Sequence, residues 1–152
     1  MAGRLMLASR RVIVALAMIC AAGWLPGNAA TDEALPAFAR SVGLTDIQRF
    51  VETVVYVRRD GRLPARFITK AQAQSLGWAP GHNLCRVAPG RTIGGDIFMN
   101  AERRLPVKPG RRYQEADLDA ECSWRGARRL ILSSDGTLYV TVDHYRTFRK
   151  VP

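Results

Sequence analysis

Proton-transfer chemistry near neutral pH most often recruits histidine, and this chain holds only two. One of them, His144, lies in Thr141-Val142-Asp143-His144-Tyr145-Arg146-Thr147-Phe148, beside a carboxylate and an aromatic and just after a predicted strand. A second polar concentration sits in Arg112 to Leu118. Two-residue alternation there puts Tyr113, Glu115 and Asp117 on one face and Gln114, Ala116 and Leu118 on the other. One face is thus acidic where a core is not. Arg129 shares a face with Ile131 rather than with Leu130 and Leu132, and Arg125 stands in the preceding loop after Trp124. Neighbouring strands of one meander would bring Glu115, Arg125, Arg129 and His144 together over a concave surface, an acid–base set with cations beside it. Each residue alone also has an ordinary reading: solvated or ion-paired carboxylates, surface arginines, a hydrogen-bonded histidine at a strand end. A metal site finds less support, because His82 and His144 are far apart in the chain and the cysteines are expected to pair.

The elements that must position these groups can be read from periodicity. Thr45-Asp46-Ile47-Gln48 fits a capping box, and Ile47, Phe50, Val51, Val54 and Val57 recur at helical spacing, which predicts an amphipathic helix ending before Asp60-Gly61. Its β-branched residues are poor helix formers, so tertiary packing must hold it. Thr69-Lys70-Ala71-Gln72 repeats the capping pattern and opens a short second helix closed at Leu76-Gly77. Lys70 then falls in a first helical turn, where the macrodipole disfavours a cation. Beyond the turn at Ala88-Pro89-Gly90, Thr92 to Phe98 reads as a strand whose Gly94-Gly95 suggests a bulge or a close backbone approach. Strands follow over 112–118, 128–133 and 137–142. The last two are joined by a tight connection at Ser134-Asp135-Gly136, and a short strand lies within 147–151. Helices first and antiparallel strands afterwards predict an α+β domain over residues 45–152, with N-terminal helices packed on a twisted antiparallel β-sheet. Residues 31–44 lack clear periodicity and read as a flexible leader.

Composition adds a compartment and a class of partner. The chain has 152 residues and a net charge of +10, enough length for one domain with a real core, and a basic excess that favours nucleic acid or anionic membrane. Arg4, Arg10 and Arg11 precede an apolar run from Val12 to Trp24, then Pro26 and Gly27-Asn28-Ala29-Ala30. That is the pattern of a secretory signal peptide over residues 1–30, with a run shorter than the ~18 residues of a membrane span. Without that segment the charge is still +7, from 20 basic and 13 acidic residues. Cys20 leaves with the signal. Cys85 and Cys122 remain in a chain bound for an oxidising compartment, which predicts one disulfide, with buried free thiols as the alternative.

Several blocks, in order, carry a resemblance. Phe67-Ile68-Thr69-Lys70, Ala73-Gln74-Ser75-Leu76-Gly77-Trp78, Val87-Ala88-Pro89-Gly90, Ile93-Gly94-Gly95-Asp96-Ile97-Phe98, Tyr113-Gln114-Glu115-Ala116-Asp117 and Asp143-His144-Tyr145-Arg146-Thr147-Phe148 closely resemble the barnase-type secreted bacterial guanyl-preferring ribonucleases, across about residues 50–150. The resemblance implies the barnase-like α+β fold and cleavage of single-stranded RNA through its own 2′-hydroxyl, without metal or cofactor. Glu115 would be the general base and His144 the general acid, a task suited to a side chain whose reference pKa is about 6.5. Lys70, Arg125 and Arg129 would surround the phosphate and favour ionised Glu115. Phe98, Met99, Asn100 and Glu102 match the guanine-reading loop, in which the family's arginine is replaced by Ala101. Tyr145 matches an aromatic that stacks near substrate, Asp96 a carboxylate bordering the cations, and Asp117 one that pairs with the arginines. Positions matching Cys85 and Cys122 lie close in that fold, which agrees with the disulfide. The resemblance further implies a monomer, secreted to periplasm or medium and free of the membrane after signal removal, restrained in its maker by an acidic barstar-like inhibitor protein. A basic RNA-binding module with weak catalysis, or an inhibitor-targeted toxin domain, is the alternative.

Overall fold

The computed structural model describes residues 29–120 and 125–152. They run as α1 (Ala29–Ser41), α2 (Ile47–Asp60), β1 (Phe67–Ile68), α3 (Lys70–Ser75), a 3-10 turn (Leu84–Arg86), β2 (Thr92–Ile97), β3 (Tyr113–Asp117), β4 (Arg129–Ser133), β5 (Leu138–Thr141) and β6 (Arg149–Lys150). The expected signal peptide lies outside the described residues except for its last two.

Residues 31–44 are not a flexible leader, because α1 occupies most of them. Leu35 and Ala39, four residues apart on one helical face, are fully buried, and Leu44 beyond the helix is buried with them. Phe38 stacks on Phe50 of α2 with ring centroids 6.0 Å apart. Pro36 sits within α1; lacking an amide, it weakens the helical signal in the sequence, and the packing of Leu35 and Ala39 overrides that local cost.

α2 is amphipathic as its spacing predicts, with Phe50, Thr53, Val54 and Val57 buried. Its cap is Asp46 rather than Thr45: the Asp46 carboxylate accepts from the Arg49 amide at 3.0 Å. The amides of Thr45 and Asp46 donate instead to the Asp119 carboxylate, at 2.9 Å each, tying the helix start to the end of β3. Gly61 closes the helix at φ 67 and returns its amide to the Val57 carbonyl at 2.8 Å, a left-handed position that glycine adopts without cost. α3 has the expected capping box, with Thr69 and Gln72 exchanging side-chain and backbone bonds.

The sheet has six strands in chain order, β1 to β6. Every pairing from β2 onward is antiparallel, but β1 runs parallel to β2, Phe67 beside Thr92 and Ile68 beside Ile93. Two residues are too few for alternation to announce a strand, and β1 had no such signal. One sheet face carries Ala116, Leu118, Leu130, Leu132, Leu138 and Val140, which form the main core with Leu35, Ala39, Phe50, Val54 and Val57 from α1 and α2. Burial contributes about 1.5–3 kcal/mol for each of the larger aliphatic side chains, so this face holds the helices. The other face carries Tyr113, Glu115, Asp117, Arg129 and Ile131, all buried.

Gly94-Gly95 forms the expected bulge: the pairing goes from Gly94 opposite Ala116 directly to Asp96 opposite Glu115. Gly95, at φ 98, is the extra residue. Gly94 faces an occupied space, since a Cβ there would lie 2.6 Å from Cδ1 of Phe67 and 2.9 Å from Cβ of Ala116. Gly94→Ala is therefore expected to cost about 1–3 kcal/mol of stability through overpacking, measured by urea unfolding. A loss below a few tenths would mean that β1 moves aside freely.

Candidate active site

The site is built on the sheet face turned away from the helices. β3 and β4 pair with Asp117 opposite Arg129 and Glu115 opposite Ile131, so the pleat puts two carboxylates and a guanidinium on one side. The pair at its inner end is nearly dry, with side chains of Asp117 and Arg129 only 2% and 3% exposed. Arg129 Nε lies 2.9 Å from Asp117 Oδ1. The alignment there is an ion pair's rather than a hydrogen bond's, and among the described residues Nε has no hydrogen-bond acceptor. Arg129 Nη1 donates to the Gly126 and Arg128 carbonyls at 2.7 Å each. Arg125 comes in from the loop before β4 and donates Nε and Nη2 to the two Asp117 oxygens at 2.7 and 2.8 Å. This bidentate bond raises the Arg125 pKa. Asp117 thus fixes both guanidiniums, and Arg125 Nη2 stands 3.8 Å from Glu115 Oε1.

Glu115 is the centre of the arrangement. Lys70 Nζ donates to its Oε1 at 2.8 Å and the Tyr145 hydroxyl to its Oε2 at 2.7 Å. Burial works against the ionised form, but the Lys70 and Tyr145 hydrogen bonds and the charges of Lys70 and Arg129 outweigh it. The Glu115 pKa therefore falls below the usual glutamate value. Tyr145, desolvated and bonded to the carboxylate, is pushed up to about 12 and stays a donor. Asp96 resolves the apparent misplacement of Lys70: its carboxylate accepts the Lys70 amide at 3.0 Å (Oδ2) and 3.3 Å (Oδ1) at the start of α3. A negative group thus meets the helix end, while the ammonium reaches across to Glu115.

His144 sits on a loop held from its neighbour. Asp143 Oδ1 accepts from the Arg146 and Thr147 amides and the Thr141 hydroxyl, all at 3.0 Å, and Oδ2 accepts from the Thr147 hydroxyl at 2.6 Å. Those bonds hold the Asp143 pKa down to about 2. The fold thereby keeps His144 and Tyr145 left-handed, at φ 57 and 67, a conformation that costs non-glycine residues about 1–3 kcal/mol and gathers at functional sites. The His144 amide donates to the Ala127 carbonyl at 3.3 Å, and the residue is exposed. It lines a cleft of about 310 Å³ together with Lys70, Arg125 and Arg129, and with Gln74, Trp78 and His82. The last three were not among the expected site residues. His82 offered a signal as the only other histidine, next to a turn glycine, but sequence distance removed it only as a metal partner. Trp78 secures that wall by donating its indole N–H to the His82 carbonyl at 2.8 Å.

The loop after β2 meets the site through Tyr145. Phe98 stacks on Tyr145, centroids 5.2 Å apart and planes at 22°. Asn100, at φ 49, closes the loop by exchanging two bonds with the Leu105 backbone, 2.9 and 3.0 Å. Met99 and Glu102 point outward: Met99 is 80% exposed and the exposed Glu102 carboxylate is engaged by Arg104. Lys70, Glu115, Asp96, Asp117, Arg125, Arg129, His144 and Tyr145 are thus gathered in one place, with Phe98 and Asn100 as the frame of an adjoining loop and Glu102 at its rim. Cys85 is half of a disulfide; Cys122, expected opposite it, lies outside the described residues. Chemically, an exposed imidazole and three cations around one hollow, with an ionised carboxylate bonded to one of those cations, suit proton transfer at a group that is anionic and becomes more so.

A protein-family model described as ribonuclease matches residues 51–152. A ribonuclease of Heyndrickxia coagulans is 48% identical over 106 residues, covering 69% of this chain and 97% of that protein. One of Bacillus pumilus is 41% identical over 148 residues, covering 90% of this chain and 91% of its own length. The solved structure of ribonuclease Sa2 with guanosine-2′-cyclophosphate aligns at a TM-score of 0.36 and 26% identity, over 62% of this chain and 90% of that one.

Proposed function

The chain belongs to the ribonuclease family, and from that premise we propose that it is a secreted, monomeric, metal-independent endoribonuclease that cuts single-stranded RNA 3′ of guanosine. Ionised Glu115 takes the proton of the ribose 2′-hydroxyl, and the oxygen attacks the adjacent phosphorus. His144, protonated at the outset, gives its proton to the departing 5′-oxygen. The products are a 2′,3′-cyclic phosphate and a free 5′-hydroxyl. Water then opens the cyclic ester with the two proton roles exchanged. Lys70, Arg125 and Arg129 face the charge that grows on the phosphoryl oxygens. The observation that carries this reading is Glu115, buried yet held ionised by Lys70 and Tyr145, with that same Lys70 lining a cleft together with His144 and the two arginines. In the loop, Phe98 offers a ring to a base, Met99 and Asn100 supply backbone, and Glu102, once released by Arg104, accepts from guanine N1 and its amino group.

Cleavage of GpN and ApN dinucleotides in EDTA tests the proposal: GpN is expected to react faster, with no loss on chelation. Equal rates would remove the base preference, and inactivity in EDTA would remove the mechanism. Secretion predicts mature protein outside the cytoplasm, starting near Thr31. A cationic site of this kind also fits an acidic inhibitor protein in the producing cell, which a pull-down from its cytoplasm would recover.

The pH dependence follows from the depressed Glu115 pKa. The base must be ionised, so the acid limb of kcat/KM lies below the ~4.3 of an ordinary glutamate. Tyr145→Phe removes one bond that lowers this pKa, and the limb should move to higher pH; an unmoved limb would show that Glu115 is not the group titrating. Glu115 likewise contributes stability that is present above the unfolded pKa and lost as pH falls through the folded one.

A further inference from the structure

A second cleft, of about 410 Å³, opens on the far side of the loop after β2 and shares no residue with the cleft of His144. It gathers three of the five exposed large hydrophobics among the described residues: Ile97 at 68%, Met99 at 80% and Val107 at 65% exposure. Its lining also holds four cations and no carboxylate. One of them, Arg111, is engaged by Asp135. Arg103, Lys108 and Arg112 are exposed, and no carboxylate pairs with them among the described residues. Apolar side chains left in water beside unneutralised cations suit a ligand with flat apolar faces strung on an anionic backbone, which describes single-stranded nucleic acid.

We propose that this cleft is a subsite for single-stranded RNA on the 5′ side of the cleaved guanosine, with bases against Ile97, Met99 and Val107 and phosphates on Arg103, Lys108 and Arg112. The direction follows from the chemistry: His144 marks the side from which the 5′-oxygen, and so the 3′ part of the strand, departs, and the loop that would hold the guanine stands between His144 and this cleft. The inference rests on the ribonuclease mechanism above.

The test compares GpN with substrates extended by three nucleotides on either the 5′ or the 3′ side, for wild type, Lys108→Ala/Arg112→Ala and Val107→Ser. Wild type is expected to gain roughly tenfold or more in kcat/KM from the 5′ extension. The double variant should lose that gain, and its log kcat/KM should fall less steeply with log salt, by about one to two phosphate contacts. Val107→Ser should lose part of the gain with its salt slope unchanged. GpN cleavage should stay the same throughout. No gain from the 5′ extension, a gain that survives the double variant, or an equal loss on 3′-extended substrate would overturn the subsite. Failure of wild type on GpN itself would instead strike the mechanism.

Discussion

His144→Ala is expected to lower kcat for transphosphorylation of GpN by about 10²–10⁴-fold, the usual contribution of a positioned general acid. KM should change little, because the cations proposed to hold the phosphate are untouched. The substitution is informative because His144 is exposed, so no core packing goes with it. Its left-handed backbone is a complication, since alanine at φ 57 is strained; His144→Asn tolerates that conformation better and should show the same loss. A leaving group that departs without protonation separates acid catalysis from mere positioning. With a p-nitrophenyl ester of guanosine 3′-phosphate, the variants should recover most of the lost rate, whereas a purely structural defect would slow both substrates equally. Hydrolysis of the cyclic phosphate should also fall, because the imidazole is then needed as a base. Near-normal kcat on GpN would end the assignment.

The second large effect is on folding. Asp117→Ala would leave Arg129, 3% exposed, without its counter-charge and release Arg125 from its bidentate partner. Removing one member of a buried ion pair typically costs 3–5 kcal/mol, because the other remains desolvated and unpaired. A domain whose whole stability is about 5–15 kcal/mol would be left marginal. Urea unfolding measures the loss. Adding Arg129→Met to the Asp117→Ala background should recover stability without recovering activity, since the orphan charge is gone and so is a cation proposed to face the phosphate. A single-variant loss under about 1 kcal/mol, within the range of surface pairs, would mean that water reaches Arg129.

Much of this architecture was legible in local chemistry. The Thr69–Gln72 capping box, the α2 spacing, the Gly94-Gly95 bulge and the alternation of β3 each depend on residues within a few positions of one another, and each is present. The acidic face of β3 and the basic register of Arg129 were visible for the same reason. That Asp117 is the group opposite Arg129 depends on the register between strands, which no single strand encodes; family resemblance suggested that pairing, and the sheet shows it. α1 is not legible in the sequence because Pro36 argues against a helix locally, while the contacts that hold Leu35 and Ala39 come from elements far along the chain. β1 is not legible there either, because two residues have no period. In the cleft wall, Gln74 stands near the end of α3, and Trp78 and His82 belong to the turn region after it, whose direction only the folded chain specifies.

The Gly94–Asp96 bulge has a consequence for what the site tolerates. Alternation makes a strand a two-phase object, and the extra residue at Gly95 resets the phase: Asp96 stands opposite Glu115 on the side of Asp117 and Arg129, where unbroken pairing would put it opposite Gln114 on the other. Asp96 then seats the helix that carries Lys70, and Phe98, two residues on, falls on the same side and stacks beneath Tyr145. A deletion of Gly95 would therefore act as a frameshift in space. One lost peptide unit would turn the anchor of Lys70 and the ring beneath Tyr145 away together, so the two halves of the candidate site are free to drift by substitution but not by a change in length.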